Sequence, residues 1–173
     1  MGIRSVLMKS GSLRSVDSGG NHLVSAILGE AMNEHILVAF DGSPLAKRAL
    51  ERAVTKHPAD RITVLYVLDP MYAVYEAETK GLPAASTWYD RLSEHADSVL
   101  SDATVQAAEH DCQITTATKS GRPARTIIDY AVKYGADHVI MGSHGRDGIP
   151  RLLLSSVAEP VLRRAPVPVT IIR

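Results

Sequence analysis

The residues best suited to chemistry lie between positions 142 and 156. Gly142-Ser143-His144-Gly145 follows a short apolar run, His138-Val139-Ile140-Met141, and Gly148 and Pro150 come soon after. Leu152-Leu153-Leu154 then leads into Ser155-Ser156-Val157-Ala158-Glu159, which reads as a helix start. Ser156 and Glu159 have capping-box spacing, in which the hydroxyl accepts from a first-turn amide and the carboxylate reaches back to the amide of the serine. A strand running into a glycine loop and then a helix start leaves several backbone N–H groups free around one point. The positive end of the helix dipole is aimed at the same place. Phosphate is held in this way.

A second candidate is Asp41, in the turn cluster Asp41-Gly42-Ser43-Pro44 after the apolar run Ile36-Leu37-Val38-Ala39-Phe40. Taken alone, this cluster is a good helix entry, with Ser43 as cap and Pro44 at the first helical position. Other chemistries lack their residues. His35, His57, His95, His110, His138 and His144 are scattered, with no HxxxH or HxH pair to suggest a metal. Only His144 has a plausible role. Cys112 has no base paired with it in sequence and reads as a strand residue. Ser143 does not stand in the G-x-S-x-G pattern of a nucleophile elbow. There is no Gly-x4-Gly-Lys-Ser/Thr, hence no lysine of that kind to stabilise a leaving phosphate, and any ATP hydrolysis is expected to be slow. A binding module fits better than an enzyme.

Strands and helices in alternation must position these residues. Continuous apolar runs at 36–40, 62–68 and 138–141 read as strands covered on both faces, and 112–118 and 167–172 read as two more. Between them, Leu45, Ala46, Ala49, Leu50, Ala53 and Val54 recur at helical spacing, as do Trp88, Leu92, Ala96, Val99, Leu100 and Ala103. Ala124, Ile127, Ile128 and Ala131 do the same, with Gly135 as a C-cap. The pattern predicts a single α/β domain, a doubly wound, mostly parallel five-stranded sheet with helices on both faces. Residues 71–84 read as a long irregular connection. In such sheets ligands bind beyond the strand carboxyl ends, where strand order reverses. Asp41 and the Gly142 loop both fall at such ends.

The chain has 173 residues, enough for one domain with a proper core. Lysine plus arginine and aspartate plus glutamate number 19 each, a balance that gives no electrostatic reason to expect nucleic acid or an anionic membrane. One cysteine points to a reducing compartment, and no apolar run approaches the ~20 residues of a membrane helix, so a cytoplasmic location is expected. Residues 1–33 read as a disordered extension ahead of a domain at 34–173, with Met32 as the suspected natural start. The strand at 167–172 is apolar and at the chain end, so an exposed edge is expected to pair with a second copy around a two-fold axis.

Residues 34–173 resemble the universal stress protein family, from the opening strand with Asp41 to Ala165-Pro166-Val167-Pro168-Val169. The nucleotide-binding branch carries Gly-x2-Gly-x9-Gly-Ser/Thr. Gly142 and Gly145 match its first two positions, Ser155 stands for the third glycine, and Ser156 keeps the hydroxyl. The resemblance implies a flavodoxin-like (Rossmann-like) sheet, bound ATP, and a homodimer. It also implies that Gly142, Gly145, Ser155 and Ser156 surround the phosphates, with Met141, Ser143, His144, Arg146 and Val157 as further residues of the same stretch. Asp41 would lie near the ribose and any Mg2+ or Mn2+, and Val67, with Ala39 and Phe40, would line the adenine pocket. The resulting expectation is a nucleotide-dependent stress-response module with an unidentified protein partner. The alternatives are a dimeric scaffold that binds no nucleotide and a slow magnesium-dependent ATPase.

Overall fold

The computed structural model describes residues 33–71, 85–144 and 155–173, and for 85–90 the backbone only. The expected extension at 1–33 (apart from Asn33) and residues 72–84 of the long connection lie outside the described residues.

Five strands are described: β1 (His35–Ala39), β2 (Arg61–Leu68), β3 (Ile114–Ser120), β4 (His138–Gly142) and β5 (Val169–Ile172). Every neighbouring pair is parallel, and the order across the sheet is β3-β2-β1-β4-β5. The chain builds outward from β1 to β3, then crosses back to place β4 on the other side of β1. Strand order therefore reverses between β1 and β4.

The apolar runs form central strands because both of their faces are covered. Ile36, Val38 and Phe40 point to one side, where Ala46, Ala49, Leu50, Ala53 and Val54 of α1 (Pro44–Lys56) and Ala96, Val99, Leu100, Ala103 and Ala107 of α2 (Ala85–Ala108) meet them. Leu37 and Leu65 point to the other, against Ile127 and Ala131 of α3 (Pro123–Tyr134) and Ala158 and Val161 of α4 (Ala158–Arg164). Burying each large aliphatic side chain contributes about 1.5–3 kcal/mol, so the two-sided packing of β1 fixes the middle of the sheet. Ser43 caps α1 as its sequence suggests, with Oγ accepting from the Ala46 amide at 3.2 Å and Pro44 following. Gly135, at φ 61° and ψ 50°, closes α3 in the left-handed conformation expected of a C-cap glycine.

Two boundaries differ from the pattern reading. Cys112 precedes β3 instead of opening it; it is buried, and burial pushes its thiol pKa up. β5 begins at Val169 instead of Val167, because Pro168 has no N–H to offer a ladder. Its carbonyl still accepts from the Val139 amide at 2.9 Å.

One polar residue is built into the foot of β1. His35 is 4% exposed. Its Nδ1 lies 3.1 Å from the Tyr134 carbonyl and 3.3 Å from that of Gly135, and its Nε2 lies 2.8 Å from Thr63 Oγ1. Carbonyls only accept, so Nδ1 carries the ring proton. Burial first, and the Arg61 charge second, lower the pKa of this imidazole. The neutral ring ties the end of α3 to the sheet.

Candidate functional site

At the β1 side of the reversal, the Phe40 amide still bonds to the Leu65 carbonyl at 2.9 Å, so the sheet extends one residue past β1. The chain then turns sharply. Asp41 Oδ1 accepts from the Ser43 amide at 3.0 Å, and Gly42 takes φ +79°. A β-carbon on Gly42 would also sit 3.2 Å from Val99 Cγ1, so both conformation and contact favour glycine. This turn holds Asp41, half-buried, at the strand end.

At the β4 side, Gly142 is required by close approach. A β-carbon there would lie 2.9 Å from Leu45 Cβ and 3.2 Å from both the Leu45 carbonyl carbon and the His144 carbonyl oxygen. Glycine lets β4 pass directly under the first turn of α1. Ser143 follows, 2% exposed, with its amide donating to the Ile172 carbonyl at 2.7 Å. Its own carbonyl accepts from the Ser155 amide at 2.9 Å. That single bond draws together the two ends of the loop that began as a glycine motif.

His144 comes next. Its Nδ1 lies 3.0 Å from Ser143 Oγ. Its Nε2 is buried and has no hydrogen-bond partner among the described residues. When the Ser143 hydroxyl donates to Nδ1, the ring proton sits on Nε2, and a buried donor left unpaired costs about 1–3 kcal/mol.

The helix start differs from the capping-box reading by one residue. Ser155, not Ser156, supplies the cap: its Oγ accepts from the Ala158 amide at 3.0 Å, and its carbonyl accepts from the Glu159 amide at 3.2 Å. Glu159 turns the other way and pairs with Arg163 at 3.1 Å, so its carboxylate does not reach back. Ser156 is exposed and Val157 half-buried. Among the described residues only Asp111 combines a side chain with positive φ, so Ser155 carries no left-handed strain where the family pattern has glycine.

The expected residues thus divide. Asp41, Gly142, Ser143 and His144 come together at the adjoining ends of β1 and β4, and Ser155 is hydrogen-bonded to them. Phe40 at 3% and Met141 at 5% exposure have side chains in the two cores, so only their backbones face the strand ends. Ala39 and Val67 lie on the α3–α4 side of the sheet and are only half-buried, unlike their strand neighbours Leu37 and Leu65. Gly145 and Arg146 lie outside the described residues. Leu45 belongs to the helical stripe read from the sequence, but pattern did not mark it as the neighbour of Gly142, because the need for glycine opposite it arises from strand–helix contact. A shallow depression of about 260 Å³ lies elsewhere, between α2 and β3, lined by Asp97, Leu100, Thr104, Thr116 and Thr118.

Comparisons with known proteins agree with this architecture. The chain is 32% identical over 150 residues to the universal stress protein MJ0531 of Methanocaldococcus jannaschii, covering 84% of this chain and 85% of that one. It resembles the solved structure of the universal stress protein UspA from Lactobacillus plantarum at TM-score 0.63 and 26% identity, over 81% of this chain and 97% of that one. The Archaeoglobus fulgidus universal stress protein in complex with dAMP shares the fold at TM-score 0.58 and 22% identity, over 82% and 98% of the two chains. An Arabidopsis thaliana universal stress family protein with AMP bound does so at 0.57 and 16%, over 80% and 90%. The model of the universal stress protein family matches residues 32–173, a span that includes every strand of the sheet. The chain belongs to the universal stress protein family.

Proposed function

We propose that the chain binds an adenine nucleotide, ATP, at the carboxyl ends of β1 and β4, and acts in the stress response through its nucleotide state. The observation that carries this reading is the bond between Ser143 and Ser155 at the reversal of strand order, next to a buried His144 Nε2 that has no hydrogen-bond partner among the described residues. A phosphate oxygen accepting from that N–H would remove the cost of burying it alone. Gly142, Gly145, Arg146, Ser156 and the amides around Val157 complete the phosphate side. Asp41 commits Oδ1 to the Ser43 amide, and Oδ2 would serve a ribose hydroxyl or Mg2+ or Mn2+. Ala39 and Val67, half-buried on one face, would border the adenine. The dAMP and AMP complexes of the Archaeoglobus and Arabidopsis proteins support adenine as the base.

A second reading draws on Ser155. Its amide is committed to the Ser143 carbonyl, so one donor that a phosphate loop could offer is used inside the protein. A dimeric scaffold that binds no nucleotide would be built this way. In either reading, the outer edge of β5 is the dimer surface.

Protein purified without added nucleotide is denatured and the released small molecules are identified. The first reading expects adenine nucleotide in near-stoichiometric amount, and a His144→Ala variant carrying at least about tenfold less, the worth of one hydrogen bond to a charged group. Empty wild-type protein that also takes up no added ATP would favour the scaffold. Magnesium-dependent phosphate release lost in Asp41→Ala would instead favour slow hydrolysis.

A further inference from the structure

At the opposite pole of the sheet, where β1, β2 and β4 begin, three side chains converge that the nucleotide reading does not use. Glu34, His57 and Asp60 each offer a ligand atom, and these atoms lie within 4.8 Å of one another. We propose that this cluster is a binding site for a borderline divalent transition cation of the Zn2+ type, held by the Glu34 carboxylate, the His57 imidazole and the Asp60 carboxylate.

The local backbone preorganises the group. Asp60 lies in the short turn between α1 and β2, and its amide donates to the His57 carbonyl at 3.1 Å. Asp60 Oδ1 accepts from the Glu34 amide at 3.0 Å, and Oδ2 meets His57 Nδ1 at 2.9 Å. The Arg61 amide bonds to the Glu34 carbonyl at 2.9 Å. His57 is itself the C-cap of α1, its amide bonded to the Ala53 carbonyl at 2.9 Å. Three residues far apart or loosely spaced in sequence are thus pinned by main-chain bonds that do not depend on their side chains. The His138 ring stands edge-on to His57, with centroids 5.9 Å apart, and limits how far the imidazole can turn.

The donor set decides the ion. One imidazole and two carboxylates suit Zn2+ and its neighbours better than Mg2+ or Ca2+, which prefer oxygen alone. Zinc bonds to nitrogen and carboxylate oxygen are both about 2.0–2.2 Å, so the ligand atoms must draw to roughly 3.3–3.5 Å apart. The His57–Asp60 pair, hydrogen-bonded at 2.9 Å, opens by a few tenths of an ångström as zinc displaces the proton they share to solvent, and the exposed Glu34 side chain is free to close in from its side. Water would complete the coordination, since the cluster is open to solvent on the Glu34 side. A bound ion would staple the α1–β2 turn to the entry of β1.

The test is calorimetric titration of the reduced full-length protein with zinc chloride, with Glu34→Gln, His57→Ala and the exposed His110→Ala as variants. The expected result is one zinc per chain in wild type and His110→Ala, and affinity at least about tenfold weaker in both Glu34→Gln and His57→Ala. Glu34→Gln keeps the size of an exposed side chain, so it remains informative if His57→Ala unfolds. No saturable binding in wild type, a smaller loss in Glu34→Gln, or an equal loss in His110→Ala would each overturn the proposal.

Discussion

At the residue scale, the glycine motif proves to have two different reasons behind it. Gly142 is glycine because Leu45 of α1 lies where its β-carbon would be. Gly142→Ala should therefore destabilise the fold by about 1–3 kcal/mol through overpacking, read as a lower urea midpoint at unchanged slope. A valine there would confound any binding assay, so His144 is the better probe of phosphate contact. The sequence made Gly142 conspicuous but could not disclose its neighbour, because strand–helix distance is a tertiary property. The same limit applies to Ser155: the pattern marked it as a departure from glycine, and its backbone conformation explains why serine is accommodated without strain. His35 was unremarkable in sequence, yet it is the most thoroughly bonded histidine at the foot of the sheet. Its folded pKa lies below the ordinary value near 6.5, so protons bind the unfolded chain more readily. Stability should be flat above about pH 6.5 and fall as pH drops from there towards the folded pKa. Denaturation midpoints measured across that range with chelator present should show the decline, and His35→Gln should reduce it, leaving the share of His138, whose pKa burial also lowers. An equal slope in that variant would remove His35 as the cause.

At the scale of elements, legibility followed burial. β1, β2 and β4 were plain as unbroken apolar runs because both faces are covered, and α1 and α3 were plain because caps and stripes agree. The ends were harder. Ser155 and Ser156 are equally good caps by type, and which one is used depends on the bond from the Ser155 amide to Ser143, a contact across the loop. β5 lost its first two expected residues because Pro168 has no N–H for the ladder. That strand also bears on assembly. The Pro168 and Ile172 carbonyls accept from β4, so by the alternation of a parallel ladder Val169 and Ile171 turn their amides and carbonyls outward at the sheet edge. Ile171→Pro removes one outward amide while leaving the β4 side of the ladder in place. If copies pair through this edge, light scattering should show a dimer for wild type and a monomer for the variant. An unchanged dimer in the variant would move the interface elsewhere.

At the scale of the molecule, the candidate site is a consequence of topology. The reversal of strand order between β1 and β4 was only conditional in sequence, since alternation of strands and helices fixes the class of sheet and not the order within it. Once the order is β3-β2-β1-β4-β5, Asp41 and the 142–144 segment are neighbours whatever their separation along the chain. The proposed nucleotide occupies that pole and the proposed cation the other. Family membership and the reversal of strand order together make nucleotide binding the central claim. The most direct test is calorimetric titration of nucleotide-stripped protein with ATP–magnesium. One saturable site per chain, weakened at least about tenfold by His144→Ala, is the predicted result. A wild-type titration with no saturable heat at any temperature tried would contradict the claim and leave a scaffold that uses the fold without the nucleotide.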